Sequence, residues 1–347
     1  MCLTYERAEA MVRNDIITEA QLRKVLSATL ERVTGETIHA PSIREWLDQW
    51  IKSREGTASN ATLLKYNQVI RDFTEYLGRK ADARLEAVNP ADFISFRDHL
   101  LEGGRTPQTV NQLVRKVLSA PFTLAVKLGQ IPANPLVAIA PLRSAAGEKS
   151  VFTPEQVTRL FKAAQGDWKG VILAGYYTGA RLQDVTNLKW SNVDLVKRLI
   201  TFKAGKTNTK VLVTIHPDLE DYLLSLKVTD DPQAPIFPEV AGKAGPGRNG
   251  LSMTFKRIML AAGIESAKAR ERAGKAGRSL SALSFHSLRH SFNSALANAG
   301  VSQELRQKLT GHASAEINSQ YTHHEIETLR RAVEAIPRLP KEDMNND

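Results

Sequence analysis

The sequence predicts a mainly α-helical protein of two domains, with a small antiparallel β-sheet in the second domain. Apolar residues recur at helical spacing through most of the chain, and capping residues open many of these segments. Two short β-branched runs flank a turn-like stretch, and one polar connector interrupts the helical pattern. A chain of 347 residues with 42% apolar and 24% charged residues suits about two globular domains.

Residues 1–40 are expected to form a helical extension ahead of the first domain. Thr18 and Gln21 have the spacing of a capping box, and apolar residues then follow one helical stripe as far as Gly35. An apolar stripe must pack on another surface. Both docking on the next domain and a separate appendage are compatible with this pattern.

Residues 41–147 are expected to form a compact helical domain of four amphipathic helices. The second helix stops at Gly78, and Asn89-Pro90 and Thr106-Pro107 open the third and fourth as an N-cap followed by proline. Pro121 is expected to kink or divide the fourth helix, because its ring clashes with the preceding turn. Helices of this kind without a catalytic cluster suggest a binding module.

Residues 148–338 are expected to form a second domain of mixed α/β structure. One core helix is predicted to end at Gly179, which places Arg181 at a corner between two helices. The other main elements expected here and beyond are a hairpin with strands at 199–202 and 211–215, a basic loop or helix at 267–279, a final helix at 324–336 and an acidic tail at 339–347.

The net charge of +10 favours polyanionic partners, of which nucleic acid is the commonest. A merely basic enzyme is the alternative, and a solvated surface position is the alternative for each basic residue taken alone. The residues proposed to contact DNA phosphates lie in the helical domain, the hairpin and the basic stretch, and they are Arg105, Arg115, Lys116, Lys203, Lys210, Lys268, Arg270, Arg272, Lys275 and Arg278.

Several classes of protein are disfavoured by the composition. Cys2 is the only cysteine, so there is no intrachain disulfide and no cysteine-based zinc cluster. No apolar run of about eighteen residues occurs, and the first forty residues lack the pattern of a signal peptide. We therefore expect a cytoplasmic, nucleoid-associated protein of bacterial or phage type that does not contact membranes.

Two arginines, several histidines and one tyrosine suit metal-free cleavage of a phosphodiester. The pentacoordinate transition state concentrates negative charge on the non-bridging oxygens, and Arg181 and Arg289 can each offer a bidentate fork to it. Tyr321 is the candidate nucleophile. Its phenol has a pKa near 10 and must lose a proton during attack, so a base should stand close by.

The remaining candidate residues supply protons and orientation. His286 lies one helical turn before Arg289 and is the candidate base, and Lys206 on the hairpin can protonate the leaving 5′-oxygen. His312 can donate a hydrogen bond to a phosphate oxygen. Asp184 follows Arg181 by three residues and should orient its neighbours, while His290 is expected to be a supporting, packed histidine.

A zinc site is the alternative interpretation of His286 and His290, which are four residues apart. No cysteine and no nearby acidic third ligand supports it. Taken singly, Tyr321 is also more typical of a half-buried tyrosine than of a nucleophile. The order of all these residues together favours the catalytic interpretation.

That order resembles the tyrosine recombinases, also called the phage integrase family. The resemblance rests on Thr178-Gly179-Ala180-Arg181 with Asp184, a hairpin lysine at Lys206, His286-Ser287-Leu288-Arg289-His290, Gly311-His312, and a tyrosine nine residues later at Tyr321. It covers residues 150–338 strongly. Residues 41–145 resemble the core-binding domain of the family less strictly.

The resemblance implies a two-domain clamp on double-stranded DNA and a 3′-phosphotyrosyl intermediate at Tyr321. Strand exchange would pass through a Holliday junction, with four protomers on two DNA sites and with neither cofactor nor metal. The helix from His324 onward is expected to dock on a neighbouring protomer. Integration or excision of a mobile element would be the role, with accessory DNA-bending or directionality factors as further partners.

Three other functions compete with this one. A type IB topoisomerase would use the same chemistry but would reseal the same strand, and the compact two-domain plan favours the recombinase. A catalytically silent DNA-binding regulator on the same fold is disfavoured by the complete set of candidate residues. A metal-dependent nuclease built on His286 and His290 would lose its activity in EDTA.

Overall fold

The computed structural model describes residues 41–143, 150–205, 209–227, 229–245, 250–265, 268–270, 280–309 and 323–339. These residues form two compact units, one containing residues 41–143 and the other containing the described residues from 150 onward. The helix expected within residues 1–40 and the acidic tail expected from 339 onward lie outside the described residues, apart from Leu339. The mainly helical fold class with a small antiparallel sheet is confirmed.

The first unit is entirely helical among the residues described. Its helices are α1 (Ile43–Lys52), α2 (Asn60–Leu77), α3 (Pro90–Glu102), α4 (Pro107–Asn111), a π-helical segment (Gln112–Leu118) and α5 (Ser119–Lys127), with 3₁₀ turns at Gly78–Asp82 and Leu85–Ala87. Asn89 and Thr106 cap α3 and α4 through their side chains, as the sequence predicts. In the core of this unit, Phe93 stacks on Phe73 and meets Phe122 edge to face.

The irregularity expected at Pro121 takes the form of a change in helix type. The chain winds as a π-helix over Gln112–Leu118 and returns to α-helix at Ser119, two residues before the proline. A π-helical turn is wider than an α-turn, and it is rare and occurs mostly as a single turn inside an α-helix. The carbonyl of Pro121 accepts a hydrogen bond from the indole Nε1 of Trp46 at 3.1 Å, which ties this part of the helix to α1.

The second unit places helices around a three-stranded sheet. Its elements are α6 (Pro154–Ala163), α7 (Trp168–Thr178), α8 (Leu182–Thr186), a 3₁₀ turn (Trp190–Asn192), β1 (Val193–Asp194), β2 (Leu199–Lys203), β3 (Lys210–Thr214), α9 (Pro217–Ser225), α10 (Leu251–Ala261), β4 (Lys268–Arg270), β5 (Leu280–Ser281), α11 (Phe285–Asn298), α12 (Gln303–Leu309) and α13 (His323–Glu334). Strands β1, β2 and β3 pair antiparallel in that order.

The hairpin is found where the sequence predicts it. Lys203 pairs with Lys210 at the end of the strands nearest to their connection. The prediction of a loop or helix at 267–279 is wrong at its start, because Lys268–Arg270 is a strand that pairs with Leu280–Ser281. Alanine and basic residues carry little strand propensity, so pairing with a partner strand decides the structure there. The short strand β1 was not predicted either.

Helix α7 lies at the centre of the second unit, and every residue from Gly170 to Thr178 is buried. Gly175 is a point of close approach to α11: a Cβ atom added there would lie 2.5 Å from the ring of Phe285. Gly179 ends α7 with a left-handed φ of 62°, as the sequence predicts for a helix stop. Because α7 and α11 lead to the two candidate arginines, this crossing sets the spacing of the site.

The last helix, α13, packs on the second unit of its own chain. Leu329 and Val333 of α13 are fully buried in the core of the chain's own second unit. The hydroxyl of Thr214 on β3 donates to the carbonyl of Leu329 at 3.3 Å. In the single chain, Leu329 and Val333 are therefore covered by the chain's own second unit, and docking of this helix on a neighbouring protomer stays a prediction.

No helix in the described part of the chain is long and apolar enough to cross a membrane.

Replacing Gly175 by alanine is expected to destabilise the second unit by about 1–3 kcal/mol, because the new methyl group overpacks the crossing of α7 and α11. Chemical denaturation of the full chain measures this change. Gly103→Ala is the matched control, since a Cβ there meets only the backbone at 3.4 Å and the φ of Gly103 is not left-handed. Equal stability of the two variants would contradict the close approach.

Candidate active site

Arg181 lies at the corner between α7 and α8, as the sequence predicts. The left-handed Gly179 turns the chain out of α7, and Arg181 then takes an extended conformation, with φ −72° and ψ 151°, at the N-cap of α8. An N-cap residue lies outside the helical path, so its side chain can leave the helix axis. The side chain of Arg181 is 22% exposed, which leaves it partly open to solvent.

Arg289 belongs to α11 and is buried, with 5% of its surface exposed. Its Nη1 donates a hydrogen bond to the carbonyl of Gly179 at 2.8 Å, which brings it to the Arg181 corner. Burial, followed by the nearby charge of Arg181, lowers the pKa of Arg289 to about 10, and the carboxylate of Asp184 opposes that shift. The guanidinium therefore remains charged at neutral pH while lying close to a second cation.

Two positive charges that are held close together and partly shielded from water favour the binding of an anion beside them. Of the described residues, Asp184 supplies negative charge close to this pair. Its Oδ2 lies 3.8 Å from Nη1 of Arg181, and its Oδ1 accepts a hydrogen bond from the backbone N–H of Gly205 at 2.9 Å. Gly205 immediately precedes Lys206, so Asp184 ties the arginine corner to the hairpin that carries the candidate lysine.

His286 and His290 lie one turn apart on α11. Their ring centroids are 4.8 Å apart and the rings are nearly perpendicular, at 88°. His286 is exposed in the first turn of the helix, whereas His290 is half-buried. No group of three histidine, cysteine, aspartate or glutamate side chains within the described residues is arranged to hold a metal ion.

A cavity of about 350 Å³ lies between α8, α10 and the start of α11. Arg181 and His286 line it, and Lys256 of α10 contributes a third basic side chain. The hydroxyl-bearing residues Ser252 and Ser284 complete its polar lining, and none of the described residues that line it is acidic. Its apolar lining consists of Leu182, Phe255, Met259, Leu283 and Phe285.

Lys256 and Ser252 were not among the residues predicted for the site. They are four residues apart on α10, so they share one helix face, and they line the cavity together with the buried Phe255 and Met259 of the same helix. The amphipathic pattern of α10 could have assigned them to a polar face. Nothing in that pattern indicates that this face borders Arg181, because the contact joins residues about seventy positions apart in the chain.

The other predicted site residues fall into two groups. Lys206, His312 and Tyr321 lie outside the described residues, as do Arg272, Lys275 and Arg278. The structure describes the exposure of five of the predicted phosphate-contacting residues. Arg105 is half-buried, and the exposed ones are Arg115, Lys116, Lys203 and Lys210. Lys268 and Arg270 are placed in β4 by their backbone.

A basic cluster is present in the first unit. The pKa of Lys65 is lowered by burial and by the neighbouring charge of Lys116. The two ammonium groups therefore share a neighbourhood on the surface formed by α2 and the π-helical segment. Clustered cations on one face are the electrostatic footprint of a polyanion-binding surface.

Comparison with known proteins defines the family. Residues 150–328 match the phage integrase family, and residues 42–140 match the phage integrase SAM-like domain. The first match covers more than half of the chain, so the chain belongs to the phage integrase family. The predicted family, the enzyme class of tyrosine recombinases that transfer DNA strands, and the function class of site-specific recombination are confirmed.

Three relatives illustrate the similarity, and two of them match over nearly their whole length. Tyrosine recombinase XerD of Rickettsia bellii is 21% identical over 312 residues, covering 83% of this chain and 97% of the relative. XerD of Agrobacterium fabrum is 24% identical over 345 residues, covering 86% and 95%. XerA of Pyrococcus furiosus is 28% identical over 188 residues, covering 53% and 60%.

Solved structures show the same fold at low sequence identity. A lambda integrase tetramer bound to a Holliday junction matches with a TM-score of 0.59 and 19% identity, covering 91% of this chain and 88% of that one. The Tn1549 transposon integrase in complex with a circular intermediate DNA matches with a TM-score of 0.57 and 17% identity, covering 83% and 98%.

Lys256→Gln is expected to weaken DNA binding, because one phosphate contact is lost. The slope of the logarithm of the DNA-binding constant against the logarithm of the salt concentration should become shallower by about one unit. Titration of labelled duplex DNA at several salt concentrations measures the slope. The matched control is Lys227→Gln, which removes the same charge from an exposed position of the same unit that does not line the cavity. Identical slopes for the two variants would show that Lys256 does not contact phosphate.

Proposed function

We propose that this recombinase cleaves and rejoins DNA through a covalent 3′-phosphotyrosyl intermediate at Tyr321. The proposal rests mainly on the proximity of Arg181, Arg289 and His286. Asp184 lies beside Arg181 and also accepts a hydrogen bond from Gly205, which connects this corner to the hairpin. The family match supplies the reaction class, and these contacts support the assignment of individual roles.

The two guanidinium groups stabilise the charge that develops on the scissile phosphate. Arg289 is fixed by its bond to Gly179, so its orientation is set before DNA arrives. Preorganised donors are effective because little reorganisation is needed during the reaction. Loss of one such donor commonly slows a reaction by about a hundredfold to a thousandfold.

The covalent step exchanges one phosphoester for another. The phenolic oxygen of Tyr321 attacks phosphorus and gives its proton to His286, while the bond to the 5′-oxygen breaks. Lys206 gives a proton to that leaving oxygen, and His312 donates a hydrogen bond to a non-bridging oxygen. Attack by a 5′-hydroxyl of another strand reverses the step, so the energy of the phosphoester is retained throughout.

Residues 41–147 form the core DNA-binding domain and residues 148–338 form the catalytic domain, with the N-terminal extension at 1–40 and the tail at 339–347. This division is supported by the two compact units and by the two family matches. The basic cluster of Lys65 and Lys116 supports a phosphate-contacting face in the first domain.

The functional assembly is a tetramer on two double-stranded DNA sites, which integrates or excises a mobile element on the nucleoid in the cytoplasm. Support comes from the names of its structural neighbours, which include a lambda integrase tetramer on a Holliday junction and a transposon integrase on DNA. DNA-bending or directionality factors would assist the choice between integration and excision.

A covalent-trapping assay tests this function. The full chain is incubated in EDTA with nicked duplexes from the ends of the element that encodes it, and the products are separated on a denaturing gel. We expect a protease-sensitive DNA adduct that maps to Tyr321 and is absent in Tyr321→Phe. Tyr76→Phe is the matched control, because Tyr76 is 38% exposed on the first unit, and it should form the adduct at the parent rate.

Four results would contradict the proposal. An adduct that persists in Tyr321→Phe would move the nucleophile to another residue, and activity that is lost in EDTA and restored by a divalent metal would favour the nuclease. DNA binding without an adduct at any end of the element would favour the silent regulator. An adduct that reseals only its own strand would favour the topoisomerase.

A further inference from the structure

One peptide group, which we call the corner peptide, joins Gly179 to Ala180 beside the two candidate arginines. It follows the end of α7 and precedes Arg181, the N-cap residue of α8. Its carbonyl oxygen belongs to Gly179 and accepts the hydrogen bond from Nη1 of Arg289 at 2.8 Å. Its N–H belongs to Ala180 and points to the other side of the same plane.

The N–H of the corner peptide donates to the side chain of Thr178. The acceptor is Oγ1 of Thr178, which lies 3.2 Å from the nitrogen of Ala180. A threonine oxygen that accepts from the N–H two residues later closes a local turn. The hydroxyl of Thr178 donates its own hydrogen to the carbonyl of Ala174, one turn earlier on α7. Thr178 therefore attaches the corner peptide to the body of the buried helix.

Burial makes this attachment hard to replace by water. Thr178 is 1% exposed and Ala180 is 3% exposed. Among the described residues, the Thr178 hydroxyl is the one acceptor for the N–H of Ala180. A buried N–H without an acceptor costs free energy comparable to that of a lost hydrogen bond. Loss of the hydroxyl therefore favours a different orientation of the corner peptide.

Other orientations are accessible because the corner peptide begins at a glycine. Gly179 has a left-handed φ of 62° and no Cβ, and glycine adopts either sign of φ with little penalty. A peptide group is planar, so its N–H and its C=O turn together. Holding the N–H on Thr178 therefore also fixes the direction in which the carbonyl faces Arg289.

The same hydrogen bonds improve the acceptor that Arg289 uses. Arg289 is buried close to the charge of Arg181, and both conditions disfavour a second cation there. A chain of hydrogen bonds runs from the guanidinium through the corner peptide and the Thr178 hydroxyl to the carbonyl of Ala174. Hydrogen bonds in such a chain polarise one another, so the carbonyl of the corner peptide accepts more strongly.

We propose that Thr178 is a positioning residue of the recombination reaction. Its hydroxyl orients the corner peptide, and the corner peptide orients the guanidinium of Arg289 beside Arg181. Because Thr178 is buried, it acts through Arg289 rather than by contact with DNA. The inference rests on the proposed roles of the two arginines at the scissile phosphate.

The first test measures the first turnover of adduct formation with saturating nicked DNA in EDTA, well below the melting temperature of each variant. Thr178→Val keeps the branched shape and removes the hydroxyl, and it is expected to slow adduct formation by about tenfold to a hundredfold. Thr178→Ala lacks the same hydroxyl and should be slowed similarly, so the result does not depend on the folding of one variant. Thr178→Ser keeps the hydroxyl and should react at the parent rate.

Thr158→Val is the matched control for the loss of a buried threonine hydroxyl. Thr158 is buried in α6 of the same unit, and its hydroxyl donates to the carbonyl of Pro154, four residues earlier. Thr178 makes the same kind of bond to Ala174, so both substitutions remove it. Thr158→Val should react at the parent rate. The proposal is overturned if Thr178→Val also reacts at the parent rate, or if Thr158→Val is slowed as much.

The second test asks whether Thr178 acts through Arg289, and it requires no cleavage. Tyr321→Phe protein is bound to DNA that carries either the natural scissile phosphate or a neutral methylphosphonate, and the ratio of the two affinities measures recognition of the phosphate charge. Thr178→Val should lower this ratio, but it should have no further effect when Arg289→Ala is present, because coupled residues give non-additive changes. An equal loss in both backgrounds, or no loss in either, would contradict the proposal.

Failure of this inference can be distinguished from failure of the proposed function. A parent chain that forms no adduct would count against Tyr321 as the nucleophile, and the affinity ratio would still decide the role of Thr178. A parent chain that forms the adduct, together with Thr178→Val reacting equally fast, would leave Tyr321 in place and remove the role of Thr178.

Discussion

The hydrogen bond from Arg289 to the carbonyl of Gly179 joins two segments that are 110 positions apart in the sequence. It places a buried guanidinium beside the corner that carries Arg181, and the absence of a Cβ at Gly175 and Gly179 lets α7 pack closely on Phe285 and Phe292 of α11. The resulting pair of cations is held by packing and by a backbone acceptor. The attraction of this place for an anion is therefore a property of the folded domain before DNA is bound.

Helix α7 links the functional parts of the second unit. Its C-terminal end leads to the Arg181 corner, Asp184 connects that corner to the hairpin, and the corner peptide connects it to Arg289. A rigid, fully buried helix suits this task, because phosphoryl transfer depends on the geometry of several groups that come from distant parts of the chain. The candidate base and the candidate arginines approach one place because their elements all pack on this helix.

Much of this organisation could be predicted from the sequence. Capping residues such as Asn89 and Thr106 marked helix starts, Gly179 marked the corner, and the spacing from His286 to Arg289 placed both on one helix, because each of these signals is local. The place of Lys256 beside Arg181 and the packing of α13 on β3 were not predictable in this way. Each depends on contacts between residues far apart in the chain, and an apolar stripe such as that of α13 does not specify whether its own chain or another covers it. The strand at Lys268–Arg270 was mispredicted for the same reason, since its structure is decided by its partner.

The central claim is that Arg181 and Arg289 act together by neutralising the charge of one scissile phosphate. The most direct measurement is the rate of adduct formation by Arg181→Ala and Arg289→Ala on two substrates, one with the natural scissile phosphate and one with a neutral methylphosphonate at the same position. If the arginines act by neutralising the phosphate charge, both variants should form the adduct much more slowly than the parent on the natural DNA. On the methylphosphonate substrate, both should recover much of the parent rate. An equal defect on both substrates would show that the two arginines support the fold or bind DNA elsewhere, and it would contradict the account.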